Sequence, residues 1–187
     1  MQEPSRGDDE KPMSWITRIE KNSVRERNIF LSALFFALFL LVLDQLSKWY
    51  IVLNFKVMET IPVIPPVLNI TSARNPGAAW SILSGYGWLL LIFGIGAAAA
   101  MLFFFRRLAE GCVERYFALL MILSGIAGNS FDRAFHGVVV DFIHVHYKDI
   151  WHYPIFNVAD MAICGGVIIF MLSSLLRKEK GKADEKC

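Results

Sequence analysis

Residues 29–48, IFLSALFFALFLLVLDQLSK, decide the fold class of this chain. Apolar residues run from Ile29 to Leu43 with one serine among them, and Asp44 follows directly. Seventeen residues separate Arg27 from Asp44, which on a helix is roughly 26 Å at about 1.5 Å per residue. The hydrocarbon core of a bilayer is about 30 Å thick. The stretch therefore predicts a helix that crosses most of a membrane and presents a carboxylate near the far side.

The same spacing recurs in two other parts of the chain. Arg115 and Asp132 are 17 residues apart, and so are Asp160 and Arg177. A further apolar run, residues 88–105, has no acid at the matching depth. Carboxylates in a membrane are costly and are by default candidates for a functional site. The three acids therefore indicate one depth at which such a site is expected.

The composition supports a membrane protein. Of the 187 residues, 55% are hydrophobic and only 19% are charged, which is too apolar for an ordinary soluble domain. Each apolar run is close to the length that a membrane-spanning helix needs. We therefore expect a membrane all-α core of four transmembrane helices, formed by Ile29–Leu53, Trp88–Phe105, Tyr116–Phe131 and Met161–Leu176.

Lysine and arginine indicate the orientation of these runs. They are concentrated before the first run, between the second and third, and after the fourth. By the positive-inside rule, both termini lie in the cytoplasm and the acids lie near the outer face. The chain then divides into a cytoplasmic polar or amphipathic leader (1–27), a four-helix membrane domain (28–176) and a cytoplasmic basic tail (177–187). The small net charge of +2 comes with no basic patch for nucleic acid.

Two segments outside the apolar runs predict strands. Residues 54–79 are not helical, because three prolines at 62–66 forbid a continuous helix. Within this segment, Val67–Ala73 is short and rich in residues that favour strands. Residues 138–147 alternate between two faces, with Asp141 as the one carboxylate on a largely apolar face. We expect the two segments to pair into a small extracytoplasmic β platform.

Asp141 and Asp160 form the candidate catalytic pair. Asn157 predicts the N-cap of the fourth helix and places Asp160 in its first turn, where a purely capping role is the plain interpretation. The two acids are 19 positions apart in the sequence, and a loop between them can bring them together. Two carboxylates that share a site do not both ionise readily, so one holds a proton while the other acts as a base toward water. That arrangement is typical of an aspartic hydrolase.

Further polar residues lie at helical spacing near the same depth. Asp44 and Lys48 are four residues apart on one helical face. Asn129 and Arg133 have the same spacing, with Asp132 between them. The plain interpretation of the first pair is an ion pair at a helix end, and that of the second group is a structural network. The functional interpretation is that these residues support the candidate catalytic acids.

Other classes of function stay open at this point. His144 and His146, with His136 and His152, are a possible metal set, but loop histidines at an interface are the more ordinary explanation and we expect no metal. Proton-coupled transporters also carry acids in a membrane, near its midplane. A non-catalytic membrane scaffold is a third class. The residues alone leave enzyme and transporter about equally favoured.

Five motifs in order resemble one family. They are Asp44-Gln45-x-x-Lys48, Asn75-Pro76-Gly77-Ala78-Ala79-Trp80, SGIAGNSFDR (124–133), VVDFI (139–143) and FNVADMAI (156–163). Together they resemble the bacterial lipoprotein signal peptidases, signal peptidase II, over roughly residues 40–176. Each motif alone is weak, whereas five in this order are specific. Departures are small: Ser124 stands where Gly is common, and Trp80 stands where Phe is common.

The resemblance implies an aspartic protease embedded in the bacterial inner membrane, with its active site near the outer face. Such enzymes remove signal peptides from prolipoproteins by cutting before a Cys that carries a diacylglyceryl group. The family's catalytic dyad corresponds to Asp141 and Asp160 here. Its supporting polar residues correspond to Asp44, Lys48, Asn75, Asn129, Arg133 and Asn157. The expected partners are the lipid-modified prolipoprotein and membrane lipids, with no cofactor, and the enzyme is expected to act as a monomer.

The orientation can be tested with reporter fusions. Fusions at Gly111 and after Lys178 are expected to report a cytoplasmic location, because the basic residues concentrate there. Fusions near Thr71 and Lys148 are expected to report an external one. A reversed pattern would place the three acids in the wrong leaflet.

Overall fold

The computed structural model describes residues 15–78, 82–148 and 150–184, with side chains from Ser23 to Arg177 within those ranges. Residues 1–14 of the predicted leader, and Trp80, lie outside the described residues. The described residues form five helices and four strands in the order α1 (Trp15–Asn54), β1 (Thr60–Ile64), β2 (Leu68–Asn75), α2 (Gly87–Phe103), α3 (Phe105–Ala109), α4 (Val113–His136), β3 (Val139–Tyr147), β4 (Trp151–His152) and α5 (Val158–Asp184).

Two of these helices have the length and apolar composition that crossing a membrane requires. They are the Ser23–Asn54 part of α1 and the Val158–Arg177 part of α5. Helix α2 is apolar but shorter. Helix α4 is long enough, but charged residues at both of its ends lower its mean hydropathy. The expected helical core is therefore confirmed, while four membrane-spanning helices stay a prediction.

Helix α4 is the centre of the helical core. Helices α1, α2, α3 and α5 all pack against it. A cluster of small and aromatic side chains joins α1, α3 and α4, with edge-to-face contact between Phe30 and Phe105 and between Phe105 and Tyr116. Many large apolar side chains of the helices point away from this core and are exposed. The helices therefore bury few large apolar side chains among themselves, as expected where lipid rather than water surrounds them.

Glycines allow α4 and α5 to approach closely. A Cβ at Gly166 would lie 2.6 Å from the carbonyl oxygen of Ala118 and 2.7 Å from Cγ1 of Ile122. A Cβ at Gly125 would collide with the carbonyl oxygen of Ala159. Small residues at helix interfaces serve this purpose in membranes. The close approach holds the start of α5 against the polar end of α4.

The four strands form one antiparallel sheet in the order β1-β2-β3-β4. Strand β2 pairs with β3, which confirms the expected pairing of the two segments. The register shifts between the pairs Ile70↔Ile143 and Ala73↔Asp141. Two residues of β2 therefore oppose one residue of β3, which makes a β-bulge. Bulges re-aim nearby side chains, and this one lies beside Asp141.

The predicted ends of the membrane domain do not coincide with ends of helices. Helix α1 runs through residue 27 without a break, and α5 continues past residue 177 to Asp184. The leader and the tail are therefore partly helical extensions of α1 and α5. Their separation from the membrane domain stays a prediction.

The α4–α5 contact predicts a stability difference between two glycine substitutions. Gly166→Ala is expected to lower the free energy of unfolding by ~1–3 kcal/mol, because its methyl group has no room. Gly96→Ala in α2 is the matched control, since a Cβ there meets nothing within 4 Å. It should leave stability unchanged or raise it by up to ~1 kcal/mol. Thermal unfolding in detergent measures both, and equal midpoints would contradict the packing described.

Candidate active site

Asp141 and Asp160 line the same cleft, which has a volume of about 480 Å³. The cleft lies between α2, α4, the start of α5, strand β3 and residues 153–156. Asn75, Asn129 and Arg133 from the predicted supporting set also line it. The structure thus brings both predicted acids and three predicted partners to one cavity.

Two side-chain amide groups donate hydrogen bonds to the carboxyl group of Asp141, which lies on β3. Its carboxyl group is buried, and its Oδ1 accepts a 2.7 Å hydrogen bond from Nδ2 of Asn157. Its Oδ2 accepts a 3.0 Å bond from Nδ2 of Asn75. Burial, followed by the nearby charge of Asp160, raises the pKa of Asp141 to about 7. The two amide hydrogen bonds and the charge of Lys48 lower this pKa but do not offset the rise. The carboxyl group of Asp141 is therefore protonated more readily than an ordinary aspartate.

The N-terminus of α5 fixes Asp160. The backbone N–H of Asp160 donates to Oδ1 of Asn157 at 2.9 Å, and the backbone N–H of Asn157 donates back to Oδ2 of Asp160 at 3.2 Å. This reciprocal pair is a capping box, which confirms the predicted N-cap. The other oxygen, Oδ1, accepts a 2.8 Å bond from Nδ2 of Asn129. Capping and placement in the cleft are therefore compatible in one side chain.

Asn157 joins the two acids. It is fully buried, with 0% of its surface exposed. Its amide nitrogen donates to Asp141, and its amide oxygen accepts from the backbone of Asp160. The same nitrogen also lies 3.1 Å from Oδ1 of Asn129. One amide therefore sets the position of both carboxylates, one through its donor and one through its acceptor.

A buried ionic cluster lies behind the cleft. The Nζ atom of Lys48, which is 3% exposed, is 2.8 Å from Oδ2 of Asp44 and 3.1 Å from Oδ2 of Asp132. It also donates to Oδ1 of Asn129 at 3.0 Å. The predicted Asp44–Lys48 pair is thus confirmed, but neither residue lines the cleft. Lys48 is connected to the cleft through Asn129.

The two carboxylates of this cluster also hold backbone groups. Oδ1 of Asp44 accepts from the backbone N–H of Ala159 at 2.8 Å, and Oδ2 of Asp132 accepts from that of Val140 at 3.1 Å. Each of those backbone groups is next in sequence to a cleft aspartate. The cluster therefore positions the chain beside Asp160 and beside Asp141.

Two members of this network were missed as supporting residues by the sequence reasoning. Asp132 was noted for its depth and for its position between Asn129 and Arg133, but it was not among the predicted supporting residues. Gln45 donates from Nε2 toward Asp44, Asp132 and the carbonyl oxygen of Gly128 at 3.1–3.3 Å. The position of Gln45 beside Asp44, and the adjacency of Asp132 to Arg133, were the available signals.

Arg133 joins the cleft to the turn after β2. Its Nη2 donates to the carbonyl oxygen of Gly77 at 2.9 Å, and its Nη1 to that of Asn129 at 3.4 Å. The turn itself is closed by a hydrogen bond from the N–H of Gly77 to Oδ1 of Asn75. The buried Nε of Arg133 has no hydrogen-bond partner within the described residues. A donor is therefore available at the edge of the cleft.

Three of the four histidines lie together on the sheet, apart from the cleft lining, whereas His136 is the last residue of α4. The ring centroids of His144, His146 and His152 are 5.2–5.8 Å from one another. Within the described part of the chain, no group of three or more His, Cys, Asp or Glu side chains has a geometry suited to a metal ion. Burial and the two neighbouring rings lower the pKa of His144.

Comparison with known proteins identifies the family. The family model for signal peptidase (SPase) II matches residues 36–176. The chain belongs to the signal peptidase II family. It is 44% identical over 146 residues to a lipoprotein signal peptidase from Bacillus velezensis (strain DSM 23117 / BGSC 10A6 / LMG 26770 / FZB42), a match that covers 78% of this chain and 95% of that one. The resemblance drawn from the five motifs is therefore confirmed.

Solved structures agree with this assignment to signal peptidase II. One bacterial membrane enzyme superposes with a TM-score of 0.74 at 35% identity, over 80% of this chain and 90% of that one. A second superposes with a TM-score of 0.68 at 38% identity, over 77% and 92%. With the two long apolar helices, these relatives make the chain a membrane protein of a peptidase family.

The buried cluster predicts a large effect of Lys48. Lys48→Met is expected to lower the free energy of unfolding by ~3–5 kcal/mol, because it leaves two buried carboxylates without their cation. Adding Asp132→Asn to Lys48→Met should restore part of that loss, since one uncompensated charge is removed. Lys56→Met, at an exposed position, is the matched control. Thermal unfolding in detergent measures all three, and equal effects at positions 48 and 56 would rule out a structural role for the cluster.

Proposed function

We propose that this protein is a membrane-embedded aspartic endopeptidase that removes signal peptides from prolipoproteins. It cuts before a diacylglyceryl-modified Cys, with Asp141, Asp160 and a water molecule as the reacting groups. The observation that carries the proposal is the placement of both aspartates in one cleft, joined by Asn157. Membership in the signal peptidase II family supports the substrate class.

The two aspartates have different surroundings, which suits two different roles. Asp141 is buried and has a pKa raised to about 7, so it holds the shared proton in the resting enzyme. Asp160 lies at the N-terminus of α5, where the helix dipole and the N–H of Asn157, which donates to its Oδ2, favour negative charge. Asp160 is therefore the base toward water, and Asp141 is the acid.

The reaction follows from these roles. Asp160 takes a proton from water while the water oxygen attacks the carbon of the scissile carbonyl group. Asp141 gives its proton to the carbonyl oxygen, which forms a neutral tetrahedral diol. The C–N bond then breaks, the leaving amine takes the proton from Asp160, and Asp141 recovers a proton from the diol. Asn75, Asn129 and Asn157 hold the carboxylates in place through these steps.

The cleft wall suits a lipid-modified substrate. On the α2 side it is apolar, with Leu90, Phe93 and Ala97, and on the α5 side it includes Ile163. Apolar walls with a few polar groups are typical of sites that bind apolar ligands.

In this proposal the helices cross the inner membrane four times with both termini in the cytoplasm, and the enzyme acts as a monomer without metal or cofactor. The acids lie near one end of α4 and α5, whereas a transporter would place them near the midplane.

Removal of either aspartate tests the proposal directly. Asp141→Asn and Asp160→Asn are each expected to lower cleavage of a lipidated prolipoprotein by at least ~10³-fold, because an amide cannot share the proton or act as the base. The assay uses purified protein in detergent, with the unlipidated precursor as a second substrate that should be cut poorly. EDTA should leave the rate unchanged. Full activity of either folded variant would refute the dyad, and a loss with EDTA restored by zinc would favour the histidines.

The raised pKa of Asp141 predicts the alkaline side of the pH–rate profile. The dyad keeps its proton below the pKa of Asp141, which is about 7, and loses it as the pH rises through that value. Cleavage should therefore fall above about pH 7. Asn75→Ala removes a hydrogen bond that lowers this pKa, so the fall should move to higher pH. Asn54→Ala, at an exposed position, is the control. The assignment of the proton would be contradicted if, in Asn75→Ala, cleavage fell at the same pH as before or at a lower pH.

A further inference from the structure

A second cavity lies at the other end of the groove between α2 and α5. Its volume is about 620 Å³. Its apolar part is formed by Ala97, Ala100 and Met101 of α2 and by Phe170 of α5. Ala97 lines the active-site cleft as well. Ala97 therefore separates the cleft that holds Asp141 and Asp160 from this second cavity, called the Arg107 cavity below.

The polar end of the Arg107 cavity carries a net positive charge. It is lined by Arg107, Arg115, Glu110 and Ser174. Nη1 of Arg115 is paired with Oε2 of Glu110 at 2.8 Å, so these two charges compensate each other. Arg107 is exposed and has no hydrogen bond or ion pair among the described side chains. One guanidinium group is therefore left to meet an anion.

The depth of Arg107 matches that of a lipid phosphate. Helix α2 ends at Phe103 after 17 residues, a length of about 25 Å at 1.5 Å per residue. Arg107 lies just beyond that apolar helix, at the level of the membrane interface, while Ala100 and Ala97 lie one and two turns inside it. Basic pockets between membrane helices bind anionic headgroups. The cavity thus presents a cation and an apolar channel in the order in which a phospholipid presents phosphate and acyl chain.

The positive charge of the Arg107 cavity favours an anionic phospholipid over a signal peptide as its occupant. A signal peptide begins with a positively charged segment, which Arg107 and the neighbouring Arg106 would repel. An anionic phospholipid has the opposite charge at the same depth. Phe170 lines the cavity, with the guanidinium carbon of Arg115 5.4 Å from its ring centroid. An aromatic ring is therefore available to contact the acyl chain of that lipid.

We propose that the Arg107 cavity binds one anionic phospholipid, whose phosphate pairs with Arg107 and whose acyl chain lies along Ala97, Ala100 and Phe170. The lipid fills the part of the α2–α5 groove that the protein leaves unpacked. Because it reaches Ala97, it also forms part of the surroundings of the active-site cleft.

Native mass spectrometry of the purified full chain tests this binding. The protein is titrated with phosphatidylglycerol and, separately, with phosphatidylcholine of the same acyl chains. Phosphatidylglycerol is expected to bind about fivefold more tightly, and Arg107→Gln is expected to remove that preference, since one basic residue near an anionic headgroup is worth ~1 kcal/mol. Arg106→Gln is the matched control, because Arg106 lines a different recess with Ser23 and Glu26. It should retain the preference.

A second pair of variants tests the apolar part. Ala100→Phe is expected to reduce phosphatidylglycerol binding at least fivefold by filling the channel, whereas Ala99→Phe, at an exposed position outside the cavity lining, should not. Equal binding of the two lipids, or equal losses in Arg106→Gln and Arg107→Gln, would overturn the proposal. So would displacement of the lipid by a signal-peptide helix or by millimolar inorganic phosphate. Binding is scored without catalysis, and an Asp141→Asn background should leave it unchanged, so the outcome is independent of the proposed peptidase mechanism.

Discussion

The ion cluster around Lys48 is the interaction on which the rest of the site depends. One buried ammonium group is shared by two buried carboxylates and an asparagine, from α1 and α4. Oδ1 of Asp44 accepts a hydrogen bond from the backbone N–H of Ala159, and Oδ2 of Asp132 accepts one from that of Val140. These backbone groups lie next to the two cleft aspartates. Buried charges are tolerated only when they are paired and hydrogen-bonded. Here that requirement forces α1, α4, β3 and the start of α5 into one arrangement.

Two asparagines, Asn129 and Asn157, transmit this arrangement to the carboxylates. An asparagine can donate and accept at once without carrying charge, so it can bridge two acids without neutralising either. Asn157 uses both capacities, toward Asp141 and Asp160. Asn129 connects the lysine cluster to Asp160. A charged residue in either place would bias the proton toward one carboxylate, whereas the amides leave the difference to burial and to the helix terminus.

Local patterns predicted those parts of the site that depend on local geometry. Strand alternation placed Asp141, and cap chemistry placed Asn157 and Asp160, because both are set by neighbours within a few residues. The sheet was predicted only in part. Strand β1 includes Pro62 and was not predicted, because the prolines of this segment were used only to exclude a helix. It is an edge strand, where proline is tolerated. The contacts of Gln45 with Asp132 span 87 residues, and no local pattern carries that information.

The order of elements along the chain has a consequence for biosynthesis. Asp160 belongs to α5, which follows α1 and α4 along the chain, and its position requires Asp44 to accept from Ala159 and Asn129 to donate to Asp160. The earlier helices can form their own contacts, but the pair of carboxylates exists only when α5 has docked against α4 and α1. A chain that has not yet been synthesised through α5 therefore lacks one of the two cleft aspartates. In the proposed enzyme, proteolytic activity would thus arise only after α5 has been made and has docked, so a partly synthesised chain could not cleave other membrane proteins.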